Sequence, residues 1–291
     1  MNRSAPVDGF RLAYDRSGSA SGEAVVLLHG WPGDRTDYRD VVSLLAGNRD
    51  VIVPDLRGFG ASDKRADAPA DHYGVAGQVR SVVGLIRELE LQSPVLAGYD
   101  IGSRIAQSVA VDHPELVRAL VVTPPLPGVG DRVLDPRAQE EFWYQWFHRL
   151  ALAEQLLDGR PEALRDYVAH FWAHWSGPSF ALDNGSLDHL VSVYAPPGAF
   201  TASIGWYRAG SGTVARSLSE TPPTGEDRIA TPTTVLWPEH DPLFPRTWSD
   251  RLDEFFHHVT LDFVDGVGHF APREYPARFA AAINEAIEGP G

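Results

Sequence analysis

The chain has no cysteine in its 291 residues, which rules out disulfides, cysteine nucleophiles and thiolate metal sites. No apolar run approaches the roughly 20 residues that a membrane helix needs. The opening MNRSAPVDGFRLAYDRSG lacks the apolar stretch of a secretory leader. A cytoplasmic protein that does not bind membrane is therefore expected. Basic residues are scarce: 25 Lys and Arg against 39 Asp and Glu leave a formal net charge of −14. That excess repels nucleic acid and anionic lipid, and because the acids are spread along the chain, solubility accounts for it. Internal repeats and low-complexity segments are also missing. The length is long for one compact domain and short for two, which suits a domain with a large insertion.

Short β-type apolar runs alternate with helical patterns, the signature of βαβ units on a mostly parallel sheet. Ala24–His29, Asp50–Pro54, Pro94–Gly98, Ala119–Val122, Thr233–Trp237 and Val259–Val264 read as strands. Between them, Tyr73–Leu91 carries apolar residues at helical spacing, and a last helix is expected over Tyr275–Ile287. The alternation fails between about Asp131 and Asp227, where the pattern is helical and rich in Trp, Tyr and Phe. Pro and Gly clusters bracket that stretch, TPPLPGVG at Thr123–Gly130 and TPPTG at Thr221–Gly225. The expected organisation is an α/β core (1–130), a helical cap (131–227) and the rest of the core (228–291).

Gly98-Tyr99-Asp100-Ile101-Gly102 joins a strand to a helix. A G-x-nucleophile-x-G turn needs its glycines because neighbouring backbone crowds it and thrusts the strained central residue above the sheet edge. Alone, the pentapeptide reads equally well as a tight Asp-containing turn capping a helix. Its context favours a site. The first strong strand runs into His29-Gly30-Trp31-Pro32-Gly33, a loop that can supply the Trp31 N–H beside that of Ile101 as an oxyanion hole. His29 reads as a structural histidine bonding the loop backbone. Downstream, one strand leads into Pro238-Glu239-His240-Asp241-Pro242 and the next into Asp265-Gly266-Val267-Gly268-His269-Phe270. That order makes Asp241 the orienting acid and His269 the general base. His170 and His174 share helical spacing, but no third ligand is near, so no metal or other cofactor is expected.

At these residues the chain resembles an epoxide hydrolase of the α/β-hydrolase fold, in the branch with an aspartate nucleophile, from about Gly9 to Ile287. HGWPG is similar to that family's HGxP loop, GYDIG to its aspartate elbow, and PEHDP with GVGHF to its acid and histidine segments. The resemblance implies ring-opening tyrosines in the cap: Tyr207 within Gly205-Trp206-Tyr207-Arg208, and less securely Tyr144 within Phe142-Trp143-Tyr144-Gln145. For both, cap–core packing is the plainer alternative. Two departures stand out. Ile101 follows the nucleophile where many members have tryptophan, and Thr123 stands where several dehalogenases keep their acid, which leaves Asp241 without a rival.

A carboxylate is ionised near neutral pH and needs no base to attack sp³ carbon. The family's reaction would give an alkyl ester on Asp100, proton donation by the tyrosines, and hydrolysis by water that His269 activates. The expected partners are a small epoxide and water, with a monomer or homodimer equally open. The aromatic cap suggests a bulky apolar or aromatic epoxide, with Trp146, Trp172, Trp206 and Phe270 as substrate-binding residues. A serine esterase is set aside because the elbow has no serine at its centre. Two alternatives stay open. The first is a haloalkane or haloacetate dehalogenase using the same nucleophile, with Trp146 as a halide contact and Arg104 as one of two carboxylate-binding positions. The second is a catalytically idle ligand-binding protein on this fold.

Overall fold

Strands whose residues are apolar on both faces must be covered on both faces by helices. The computed structural model, which describes residues 1–65 and 70–289, has that layout. Its strands are β1 (Asn2–Arg3), β2 (Ala13–Gly18), β3 (Glu23–Leu28), β4 (Arg49–Pro54), β5 (Val95–Gly98), β6 (Ala119–Val122), β7 (Thr233–Pro238) and β8 (Val259–Val264). They form one eight-stranded sheet in the order β1-β2-β4-β3-β5-β6-β7-β8. From β4 to β8 every pairing is parallel, while β1 and β2 join the edge antiparallel. The central strands β5 and β6 are fully buried, and the edge strand β8 only in part.

All six expected strands are present, with ends shifted by at most one residue. Strand β2 had no sequence signal of that kind. Its segment AYDRSG is buried only at Ala13 and Tyr14, where β1 also flanks it, and alternates half-buried and exposed beyond, where only β4 lies beside it. The helix expected over Tyr73–Leu91 runs from Val75 to Glu88 and buries Val79, Val82, Val83, Leu85 and Ile86. The last helix is Pro276–Glu288.

Between β6 and β7 the described residues form no strand. Eight α-helices, from Pro136–Glu141 to Thr213–Ser217, fill the interval. They pack over the loops that leave the carboxyl ends of the strands. Trp172 Nε1 donates to the Pro32 carbonyl at 3.0 Å and Tyr194 Oη to the Gly33 carbonyl at 2.8 Å. His189 Nε2 lies 2.6 Å from Asp34 Oδ2. Among the described residues no helix is long and apolar enough to cross a membrane. In open parallel sheets, ligands bind outside the carboxyl ends of the strands. Register then decides which loops meet there: Leu28 pairs with Gly98 and Gly98 with Val122, so the three loops that follow lie side by side.

Candidate active site

Strand β5 ends at Gly98 and the helix Ile101–Asp112 begins after only two intervening residues, so Tyr99 and Asp100 must make the whole turn. Asp100 does so at φ 50° and ψ −122°, a conformation that costs an L-residue on the order of 1–3 kcal/mol and marks functional turns. The flanking glycines are sterically required. A Cβ on Gly98 would sit 2.5 Å from the Gly102 carbonyl carbon, and one on Gly102 would overlap the Leu28 carbonyl.

The elbow points the Asp100 carboxylate at two partners. Its Oδ1 accepts a 2.8 Å hydrogen bond from the Trp31 N–H. Its Oδ2 lies 3.6 Å from His269 Nε2. Ile101 heads the helix, so its N–H has no partner within it. On the far side of the imidazole, His269 Nδ1 is 2.8 Å from Asp241 Oδ2, and Asp241 Oδ1 accepts from the Leu243 N–H at 2.9 Å. Asp241 and His269 are buried, as is His29, which bridges the Gly30 carbonyl and the Leu56 N–H. Burial alone would lower the His269 pKa, but Asp241 and Asp100 outweigh it and push it up from 6.5 to about 10. Both acids thus favour the protonated imidazole.

Above Asp100 a cavity of about 10 Å³ is bounded by Ile101, Arg104, Pro125, Tyr144, Trp206 and Tyr207, among others. The Tyr144 and Tyr207 rings meet edge to face, 5.6 Å apart at 83°. Tyr144 Oη accepts a 3.1 Å hydrogen bond from Gln145 Nε2. Burial, reinforced by the Asp100 charge, raises both phenol pKa values well above 10, so both hydroxyls keep their protons.

The aromatic residues expected at the substrate divide. Trp206 borders this cavity. Trp172 and Phe270 do not, because their rings stack on each other at 3.7 Å and join the helix Pro161–Trp175 to the His269 loop. Trp146 is turned outward. In the helix Trp143–Arg149 the buried face is Tyr144, Gln145 and His148, which leaves Trp146 45% exposed beside the Arg149 guanidinium. His170 and His174 stack one turn apart, His174 pairs with Glu141, and the described residues hold no group of three metal-ligating side chains.

Two supporting groups carried no sequence signal. Glu274 receives the N–H groups of Gly177, Gly268 and Phe270 at 2.7–3.0 Å, clamping the His269 loop from both sides. Asp37 Oδ2 accepts from the Tyr99 hydroxyl at 2.5 Å and from the Asp34 N–H at 3.2 Å, which ties the Trp31 loop to the elbow from beneath. A carboxylate that accepts from a backbone N–H and faces a histidine paired with a second acid is an arrangement that can support covalent catalysis followed by hydrolysis.

The chain has relatives on the same fold. The family model of the alpha/beta hydrolase fold matches residues 23–274. The soluble epoxide hydrolase of Corynebacterium sp. (strain C12) is 27% identical over 282 residues, covering 94% of this chain and 92% of that protein. A fluoroacetate dehalogenase of Burkholderia sp. is 30% identical over 195 residues, 65% of this chain and 63% of that protein. The solved structure of a Bacillus megaterium epoxide hydrolase shares the fold at TM-score 0.83 and 19% identity, covering 99% of this chain and all of that one (100%). The chain belongs to the alpha/beta hydrolase fold family.

Proposed function

We propose that this hydrolase opens epoxides to vicinal diols through an alkyl ester on Asp100, with the segment 131–227 serving as its cap. The observation that carries the reading is the pair of protonated tyrosines, Tyr144 and Tyr207, facing Asp100 across one small cavity. An alkoxide is a poor leaving group unless a proton donor meets it. Asp100 attacks one epoxide carbon, the C–O bond breaks, and a tyrosine proton goes to the departing oxygen. The oxyanion left on the tyrosine is reprotonated from solvent.

Ester formation then changes the histidine. It removes the Asp100 charge, one of the two that hold His269 protonated, while burial keeps opposing the cation. The His269 pKa falls, the imidazole gives up its proton, and it can take one from water. That water attacks the Asp100 ester carbonyl, the Trp31 and Ile101 N–H groups hold the resulting oxyanion, and collapse releases the diol and regenerates the carboxylate. Overall, epoxide and water give diol, with no cofactor consumed.

A second reading rests on a separate observation. Arg104 borders the same cavity, and among the described residues its Nε has no acceptor, an arrangement that would suit a haloacetate, the class to which the Burkholderia relative's substrate belongs. The outward turn of Trp146 counts against its role as a halide contact. Styrene oxide, an aliphatic epoxide, chlorobutane and fluoroacetate, assayed side by side, test the assignment. Diol from the epoxides without halide release supports it, and fluoride from fluoroacetate without diol formation overturns it.

A further inference from the structure

The cavity over Asp100 has room for about one water at its size of about 10 Å³, so a substituted epoxide needs more space than it offers. That space lies behind one side chain. On the other side of Arg104 opens a groove of about 470 Å³, with Val75, Val111, Pro127, Ile229 and Phe255 among its walls. Arg104 borders both the groove and the inner cavity. Beside it, Ser211 on the cavity side accepts a hydrogen bond from the Val75 N–H on the groove side at 3.1 Å. Arg104 is thus the residue that the two linings share.

Arg104 is loosely held for a buried cation. Its side chain is 6% exposed, and its Nη1 reaches Glu220 Oε1 only at 3.3 Å. Nη2 reaches the Leu126 carbonyl at 3.2 Å, and among the described residues Nε has no acceptor. A buried guanidinium with a free donor and long bonds has lost hydration that it does not recover. Swinging toward the groove would return it to water and join the two spaces. Glu220 is anchored separately, its Oε2 accepting from the Gly128 N–H at 3.0 Å, so the acid can stay at the rim while the arginine moves.

We propose that this groove is an outer substrate subsite. It receives the hydrocarbon arm of a long-chain terminal epoxide while Asp100 attacks the ring, and Arg104 is the partition that yields to it. The proposal rests on the epoxide reading above and names its substrate class. The groove's volume falls within the range of ligand pockets; Val75, Val111, Pro127, Ile229 and Phe255 offer a hydrocarbon chain apolar contact, while Asp112, Arg216, Glu220 and Asp227 also line it.

Two groove residues on the helix Ile101–Asp112 test it. Ser108 lies one turn beyond Arg104, and Val111 is 56% exposed further out. Tryptophan at either position narrows the groove. The measurement is kcat/KM for a twelve-carbon and a four-carbon terminal epoxide. The ratio of long to short should fall at least tenfold in Ser108→Trp, equivalent to excluding about two buried methylenes, and should fall in Val111→Trp as well. If Ser108→Trp does not fold, the solvent-facing Val111→Trp carries the test. An unchanged ratio in folded variants, or an equal loss on both substrates, removes the outer subsite and leaves the epoxide reading standing. A wild-type enzyme that opens styrene oxide but neither of these removes the outer subsite alone, and one that opens none of the three removes both.

Discussion

Replacing Tyr207 with phenylalanine isolates one hydroxyl. The ring packs on His148 at 4.8 Å, Tyr144 at 5.6 Å and Trp31 at 6.2 Å, and the residue is 3% exposed. Phenylalanine keeps those contacts. Losing one buried hydroxyl costs about 1 kcal/mol, so the unfolding temperature should move by no more than about 2–4 °C. The kinetic cost should be larger. Burial keeps the Tyr207 hydroxyl protonated, which under the proposed mechanism lets it serve as the acid beside Asp100. A positioned acid typically contributes on the order of 10²–10⁴ in rate. Tyr144 shares the cavity and can donate in its place, which sets the expected loss near the lower end, about tenfold to hundredfold. The double variant Tyr144→Phe/Tyr207→Phe should be close to inactive. Single-turnover kinetics on a chromogenic epoxide measure the alkylation step itself. Wild-type alkylation by Tyr207→Phe would make the tyrosine a packing residue and refute the acid role.

Three further outcomes follow from the surroundings of the site. His269 has its pKa raised to about 10, so its contribution to stability is complete below its ordinary value of 6.5 and is lost as pH climbs toward 10. Thermal denaturation should show the wild type weakening across that window and His269→Gln weakening less. A parallel decline in both would contradict this. Asp37 is pushed up to about 7, first by burial and then by Asp34, so as pH rises from about 4 to 7 its ionisation costs stability. Asp37→Asn should therefore gain on the wild type between pH 5 and pH 8, and a pH-independent difference in melting would sink the assignment. Glu274→Ala strands three N–H groups around the His269 loop. Denaturant titration should show a loss of about 2–4 kcal/mol, accompanied by a fall in kcat; a near-neutral variant would mean that water replaces the carboxylate.

The sheet was legible because parallel strands buried on both faces leave continuous apolar runs, and AVVLL, VIV and ALVV are such runs. The elbow and the segments carrying Asp241 and His269 were legible because each follows a readable strand. Strand β2 escaped because its AYDRSG carries charge and alternates half-buried with exposed positions, so it leaves no continuous apolar run. The orientation of Trp146 was unreadable because the helix Trp143–Arg149 is aromatic on both faces, with Trp143 and Trp146 outside and Tyr144 inside. Hydrophobic periodicity cannot choose a face when both are apolar. Glu274 and Asp37 were invisible for another reason. Their partners are largely backbone N–H groups, which every sequence supplies and only folding gathers.

The central claim is the covalent intermediate on Asp100, and His269→Gln tests it most directly. Alkylation needs only the carboxylate and a proton from the tyrosines, whereas release needs the imidazole as base. The variant should accumulate as protein plus one intact epoxide, and intact-protein mass spectrometry followed by peptide mapping should place the added mass on the peptide containing Asp100. Unmodified His269→Gln under saturating epoxide, with the wild type active on the same compound, would contradict the account.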